Sequence, residues 1–237
     1  MQQEQIKEFL DNFFSNLRFR LDIFQKNKKQ TDFYLASDFK VFDHMQLNEN
    51  RLSDIIADLL NPNGKHGQGD LFLNEFLRII GVSRQYEAQK VNVRREDLTR
   101  YIMNPFRRID ITIDFDFGDF GIGVENKPWA GEQQDQIRNY KEHLEKKYKS
   151  FILVYLFGDG SEPQSIGEDE REALKQNGRL KVLTYFTHVK NWLESCYKEC
   201  KAEKVRWFLR DFIDYIEDNF KQSLIELEGG EKIDQEG

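Results

Sequence analysis

The sequence predicts an α/β fold in which helices flank a mixed β-sheet and a helical extension precedes it at the N-terminus. Apolar residues recur at spacings of three and four over residues 2–26, the period of an amphipathic helix. Apolar and polar residues instead alternate strictly over 108–114 and 121–127, the period of half-buried strands. The predicted elements follow the order helices, three strands, helix, two strands and helices, which is typical of a mixed sheet.

Helices are predicted where the apolar period is three to four and a breaker follows. Residues 27–37 are expected to form a polar connection, and a second helical region is expected to begin near Asp38. Gly81 is a predicted C-cap, because glycine adopts the left-handed conformation that ends helices. The other predicted helices span residues 2–26, about 52–60, 71–80, about 131–147, about 188–200 and about 202–220.

Strands are predicted in the middle of the chain, where β-branched and aromatic residues cluster. A Gly- and acid-rich loop is expected over 158–170, and the acidic residues 221–237 are predicted to be a disordered tail. The domain prediction is a single domain over 1–220, made of an extension (1–37), a core (38–187) and C-terminal helices (188–220). The predicted strands span residues 87–95, 108–114, 121–127, 151–157 and 180–186.

Composition restricts the classes of function. The 237 residues carry a net charge of −7, so bulk attraction does not draw this chain to a polyanion. Binding of nucleic acid would need a local basic surface and a bound cation. Cys196 and Cys200 suit reduced, inert thiols better than a zinc site. No apolar run is long enough to span a membrane and the N-terminus lacks signal-peptide features, so we expect a cytoplasmic protein.

The two alternating strands place their polar residues together. Ile109, Ile111 and Ile113 are expected to share the core face with Ile122 and Val124, as alternate residues of a strand do. Asp110, Glu125 and Lys127 then lie on the opposite face, and Gly121 and Gly123 are expected to leave space for a ligand there.

A four-residue loop over 116–119 sets the predicted hairpin register. It places Asp110 directly across from Glu125, with Cβ atoms about 5 Å apart. Two carboxylates so close repel unless a cation lies between them, and oxygen ligands favour Mg²⁺ or Mn²⁺. Lys127 could hold an attacking water or offset phosphoryl charge. The alternative is a solvent-exposed strand face with an ordinary Glu–Lys pair.

These residues resemble the PD-(D/E)XK nuclease superfamily, which places an Asp on its second core strand, a (D/E)-x-K on its third and often a Q-x-x-x-Y helix next. Upstream residues resemble an uncharacterised bacterial branch of it, and the resemblance covers roughly 38–157. The leading Pro is absent, because Ile109 precedes Asp110. The segments that carry the resemblance are 109–110, 123–127, 136–140, 48–53, 59–62 and 66–73.

The resemblance implies a restriction-endonuclease-like core and a set of site residues. Asp110 and Glu125 would bind Mg²⁺ or Mn²⁺, with the backbone carbonyl of Asn126 and the carboxylate of Glu49 completing the shell. Lys127 would position or activate water. Independently of the resemblance, spacings of three and four place Gln136 on one helix face with Gln133 and Tyr140. Gln136 could orient waters or Lys127, and Gln133 and Tyr140 could contact nucleic-acid phosphates; the alternative is a polar helix edge with one core tyrosine.

Two further groups have open interpretations. His66 could contact phosphate or support Glu49, or it could fix its own loop by hydrogen bonds. An arginine cluster could form the local phosphate-binding surface or simply solvate the protein. The cluster comprises Arg94, Arg95, Arg107 and Arg108.

The predicted function is a metal-dependent nuclease that hydrolyses phosphodiester bonds, with DNA preferred because the superfamily mostly cuts DNA. The alternative is a non-catalytic module that keeps the nuclease fold and binds nucleic acid or a protein. Restriction, phage defence and repair all remain open, as do oligomeric state, partner subunits and the role of residues 158–220.

Overall fold

A computed structural model describes residues 2–36, 38–100, 107–116, 118–129, 131–158 and 161–220. The chain divides into two compact units, Met1–Val41 and Phe42–Gly237. The first unit is dominated by one helix, α1 (Gln2–Leu35). The predicted helix is therefore confirmed, but the polar connection over 27–37 is wrong. Residues 27–35 contain neither Gly nor Pro and include two lysines and a glutamine, which favour a helix.

The second unit contains six helices within its described residues. A 3₁₀ turn, Val41–His44, occupies the place where a helical region was expected from Asp38. Helix α5 was not predicted, because only its Leu174 is buried and its first turn is acidic. The six helices are α2 (Glu49–Leu60), α3 (Leu71–Ile79), α4 (Gln136–Lys147), α5 (Glu168–Gln176), α6 (Lys190–Glu199) and α7 (Glu203–Asn219).

Within the described part of the chain, five strands form one sheet in the order β1-β2-β3-β4-β5. The β1–β2 and β2–β3 pairings are antiparallel, whereas β3–β4 and β4–β5 are parallel. The predicted mixed sheet is confirmed. The strands span β1 (Val91–Leu98), β2 (Arg108–Phe115), β3 (Phe120–Lys127), β4 (Ser150–Phe157) and β5 (Leu180–Thr184).

The sheet separates two apolar cores. The larger core joins Ile111, Ile113, Ile122 and Val124 to the apolar faces of α2, α3, α6 and α7. The smaller core lies against α4 and α5 and includes Leu144. The central strand β3 is buried along its whole length, so any polar group it carries must find partners inside the protein.

Two expectations about the strand faces are wrong. Ile109 packs in the smaller core and not with Ile111, because the β2–β3 ladder ends at Ile111 and Glu96 on the neighbouring strand has a left-handed φ of 50°. Gly121 and Gly123 do not leave room for a ligand. A Cβ at Gly121 would lie 2.3 Å from the Tyr148 ring, so the glycine admits a side chain from the end of α4.

Some expectations fall outside the described residues: the tail 221–237, loop residue Phe117 and residues 101–106 of the connection before β2. The start of the 158–170 loop is described only in part, since 159 and 160 are also outside. Among the described residues, no helix combines the length and apolarity needed to cross a membrane.

Candidate active site

The β2–β3 hairpin has the predicted register. Ile111 pairs with Val124 and Asp114 with Gly121, and the loop between the strands has the predicted four residues. Asp110 and Glu125 therefore occupy the next positions on adjacent antiparallel strands, just beyond the last paired residues. The alternation that defines the two strands, together with the loop length, was sufficient to set this register.

Glu125 is almost completely buried, with 1% of its surface exposed. Its Oε1 accepts a hydrogen bond from Gln136 Nε2 at 2.5 Å and lies 2.9 Å from Lys127 Nζ. Its Oε2 is also buried but has no hydrogen-bond partner among the described residues. Burial raises the pKa of Glu125 well above its usual range, and the charge of Asp110 raises it further.

Asp110 is held against the backbone of the neighbouring strand. Its Oδ2 accepts a hydrogen bond from the Asn126 N–H at 2.8 Å, and the Arg95 guanidinium donates to its carbonyl oxygen. Burial raises the pKa of Asp110, although the Asn126 hydrogen bond and the Lys127 charge oppose the rise. The fold thus brings two carboxyl groups with raised pKa values into one small region.

Lys127 connects these groups to helix α2. Its Nζ donates to Glu49 Oε1 at 2.7 Å and lies 2.9 Å from Glu125 Oε1. Burial alone would lower the pKa of Lys127, but the two carboxylates outweigh burial and raise it above its usual value. Lys127 is therefore a charged ammonium group between two carboxylates.

Glu49 reaches the site because it begins α2. The Asn48 side chain caps the helix by accepting from the Arg51 N–H at 2.9 Å. An acidic residue in the first turn also complements the positive end of the helix dipole. The helix is attached to β3 by the Asn126 side chain, which donates to Ser53 Oγ at 2.9 Å.

The Asn126 side chain was missed by sequence reasoning, which considered only its backbone carbonyl. Its Oδ1 also accepts a hydrogen bond from the Tyr185 hydroxyl at 2.8 Å, and Tyr185 is fully buried. Asn126 therefore links Ser53 and Tyr185 beneath Glu125 and Lys127. A polar residue inside a fully buried strand was the only sequence signal for this network.

Helix α4 begins at Gln136, whereas the sequence predicted a helix from about residue 131. The residues before it form a turn, in which Asp135 has a φ of 55°, so Gln133 is not on the helix. Gln136 is buried, which excludes a polar helix edge. Its Oε1 accepts from the Gln133 N–H at 3.0 Å, and its Nε2 donates to Glu125 and to the Tyr140 hydroxyl.

The arrangement suits a divalent cation, although no ready-made cluster is present. Among the described residues, no three His, Cys, Asp or Glu side chains converge as a metal-binding group. The Oε2 of Glu125 is nevertheless a buried carboxyl oxygen with no hydrogen-bond partner among the described residues, although Lys127 pairs with the other oxygen of the same group. Carboxylate oxygens are the donor set that Mg²⁺ and Mn²⁺ prefer.

Comparison with known families agrees with this geometry. Residues 39–214 match the family model described as PD-(D/E)XK nuclease superfamily. The chain belongs to the PD-(D/E)XK nuclease superfamily. The match extends beyond 157, where the resemblance read from the sequence ended, and so includes α5, β5, α6 and most of α7. Neither the curated proteins nor the solved structures gave a significant match.

The arginine cluster of this superfamily member is engaged in internal contacts. Arg94 pairs with Asp114, and Arg95 pairs with Asp54 at 2.8 Å. Arg108 forms an exposed pair with Glu96 at 2.8 Å. Arg107 donates to the Gln134 carbonyl and, at 3.5 Å, to the Gln133 side chain. These contacts favour a structural role over a free phosphate-binding surface.

His66 and Tyr140 also have internal partners. His66 Nε2 lies 2.8 Å from the Asn61 carbonyl oxygen, and its Nδ1 accepts from the Gln68 N–H at 3.1 Å. Tyr140 is buried and donates to the Arg108 carbonyl at 2.6 Å. We therefore leave both out of the nucleic-acid contacts. Cys196 and Cys200 are buried free thiols.

Proposed function

We propose that this superfamily member is a metal-dependent nuclease that hydrolyses phosphodiester bonds of DNA. The observation that carries the proposal is the surroundings of Glu125. A buried carboxyl group with one unpartnered oxygen lies beside a second, partly buried carboxyl group, and a divalent cation would relieve their mutual repulsion. The choice of DNA rests on membership of a superfamily that mostly cuts DNA.

Asp110 and Glu125 would hold the ion, together with the backbone carbonyl of Asn126 and the nearby carboxylate of Glu49. When bound, a divalent ion polarises the phosphate and lowers the pKa of its water. The Asn126 N–H fixes the orientation of Asp110, and Gln136 fixes that of Glu125. Both hydrogen bonds keep the carboxylate oxygens in place before a ligand arrives.

Lys127 has the position of the group that handles the attacking water. Its ammonium is held by two carboxylates, so it stays charged and cannot act as a base at neutral pH. A charged lysine can hold a water molecule for attack and offset the negative charge that develops on a phosphoryl oxygen. We assign it that positioning and electrostatic role.

The proposal is tested by incubating the protein with duplex DNA, single-stranded DNA and RNA in Mg²⁺, Mn²⁺ or EDTA. We expect cleavage of DNA in either metal and none in EDTA. Asp110→Asn should abolish cleavage, whereas Asp114→Asn, a change of a buried carboxylate on the same strand, should retain it. Binding without cleavage by the wild type in every condition would instead support the non-catalytic module.

A further inference from the structure

Lysines and arginines of α6, α7 and the segment between them form a second basic surface. In residues 197–210, five basic residues accompany two acidic ones, within a chain whose net charge is −7. Among the described residues, Lys201, Lys204 and Arg206 form no ion pair, in contrast to Arg94, Arg95 and Arg108. The basic residues are Lys198, Lys201, Lys204, Arg206 and Arg210.

Two of these arginines lie over aromatic rings. The guanidinium carbon of Arg210 lies 4.0 Å from the centre of the Trp207 ring, and that of Arg206 lies 4.7 Å from the centre of the Tyr197 ring. Stacking fixes the plane of a guanidinium but leaves the N–H groups at its edge free to donate. Among the described residues, the one ion pair of Arg210 is a 4.0 Å approach to Asp211. Both arginines are therefore preorganised to bind a phosphate through two hydrogen bonds.

These side chains border one open cleft of about 410 Å³. Trp207, at its edge, is 45% exposed, which is unusual for so large an apolar ring. The cleft is lined by Tyr197, Lys201, Glu203, Arg206, Trp207 and Arg210.

Helix α7 connects this surface to the candidate active site. Beyond its C-terminal end, the Phe220 ring stacks on Tyr185 with ring centres 4.3 Å apart, and Tyr185 donates to Asn126. Arg210 precedes Phe220 by ten residues, about 15 Å along a helix. That distance corresponds to roughly four or five base steps of DNA.

We propose that this surface, residues 197–210, binds the phosphate backbone of nucleic acid at a distance from the bond that is cut. The proposal rests on the proposed nuclease function and deepens it. These charges favour nucleic acid as the ligand, because guanidiniums that lie over aromatic rings and are flanked by lysines match the repeated phosphate anions of a polynucleotide.

Binding is measured by fluorescence anisotropy in EDTA, so that no cleavage is needed. The probes are labelled duplex DNA, single-stranded DNA and RNA of one sequence, across a range of salt concentrations. The surface variant is Lys201→Gln/Arg206→Gln/Arg210→Gln. Its matched control, Lys146→Gln/Lys149→Gln/Arg179→Gln, removes three charges that are paired with carboxylates elsewhere and includes an arginine stacked on a ring.

The surface variant should lose affinity at least about tenfold at low salt. Its plot of log affinity against log salt should also become shallower, with a slope smaller in magnitude by about two to three. The control should keep the wild-type slope. The variant Lys201→Gln/Lys204→Gln leaves both arginine–ring contacts in place, and the magnitude of its slope should decrease by about one to two. Equal losses in the surface and control variants, or effective competition by polyglutamate of equal charge, would overturn the proposal. Binding through this surface without any cleavage would instead refute only the nuclease function.

Discussion

Replacement of Asp110 by Asn should separate the charge of the site from its shape. The Asn side chain can still accept the hydrogen bond from the Asn126 N–H, which Asp110 accepts at 2.8 Å. The substitution removes a carboxyl group whose pKa burial raises, and it removes the charge that raises the pKa of Glu125. Without metal, the variant should therefore be at least as stable as the wild type at neutral pH.

The wild type should respond to metal because only the folded state brings the carboxylates together. An ion at a hundredfold excess over its dissociation constant stabilises by about 2.7 kcal/mol. For a chain of this size, that free energy corresponds to an increase in melting temperature of about 5–11 °C. Asp110→Asn should abolish the increase, since it removes one of the proposed ligands.

Differential scanning calorimetry with and without millimolar Mn²⁺ measures both effects. Asp114→Asn is the matched control, because Asp114 lies on the same strand but is paired with Arg94 and with Lys147. We expect this control to lose about 1–3 kcal/mol without metal and to keep the full Mn²⁺ response. An unchanged melting temperature of the wild type in Mn²⁺, or an equal response of Asp110→Asn, would refute the reasoning.

Three further predictions concern packing and protonation. Gln136→Leu should reduce nuclease activity about 10–100-fold and the free energy of unfolding by about 1–3 kcal/mol, because Glu125 loses a hydrogen-bond donor. Steady-state rates measure the activity, and urea unfolding measures the stability. Gly121→Ala should lower the free energy of unfolding, measured in urea, by about 1–3 kcal/mol, since its Cβ would clash with Tyr148. Because the pKa of Asp110 is raised when folded, the metal-free wild type should lose stability relative to Asp110→Asn as pH rises from 3.8, its ordinary value, through the raised value. Saturating Mn²⁺ should remove that relative loss in thermal melts.

Each of these predictions has a control or a contrary result. Gln134→Leu changes an exposed neighbour and should leave activity unchanged. Gly131→Ala adds a methyl group that meets no atom of the described residues within 4 Å, so it should not destabilise as Gly121→Ala does. A metal-free wild type whose stability rises relative to Asp110→Asn over the same interval would contradict the assigned direction of the Asp110 pKa.

The part of the site that could be predicted from sequence depends on the alternation of apolar and polar residues along the strands. Strict alternation and a short loop set the hairpin register, and with it the adjacency of Asp110 and Glu125. Glu49 had no such signal, because it lies on a distant helix. Its expected position came from resemblance to the superfamily, and in the structure Glu49 Oε1 lies 2.7 Å from Lys127 Nζ.

The predictions that were wrong depended on three-dimensional packing. Alternation cannot show that Ile109 leaves the face of Ile111, since the change occurs where the ladder with β3 ends. A glycine in a strand looks the same whether a ligand or Tyr148 fills the space beside it.

The most direct test of the site combines two measurements on Lys127→Gln. Calorimetric titration gives its Mn²⁺ affinity, and a gel assay gives its rate of DNA cleavage beside the wild type. If Asp110 and Glu125 hold the ion and Lys127 handles water and phosphoryl charge, the variant should bind Mn²⁺ at least as tightly as the wild type. Its cleavage rate should nevertheless fall about 10²–10³-fold. Wild-type cleavage by Lys127→Gln, or a wild type that neither binds Mn²⁺ nor cuts DNA, would contradict the account.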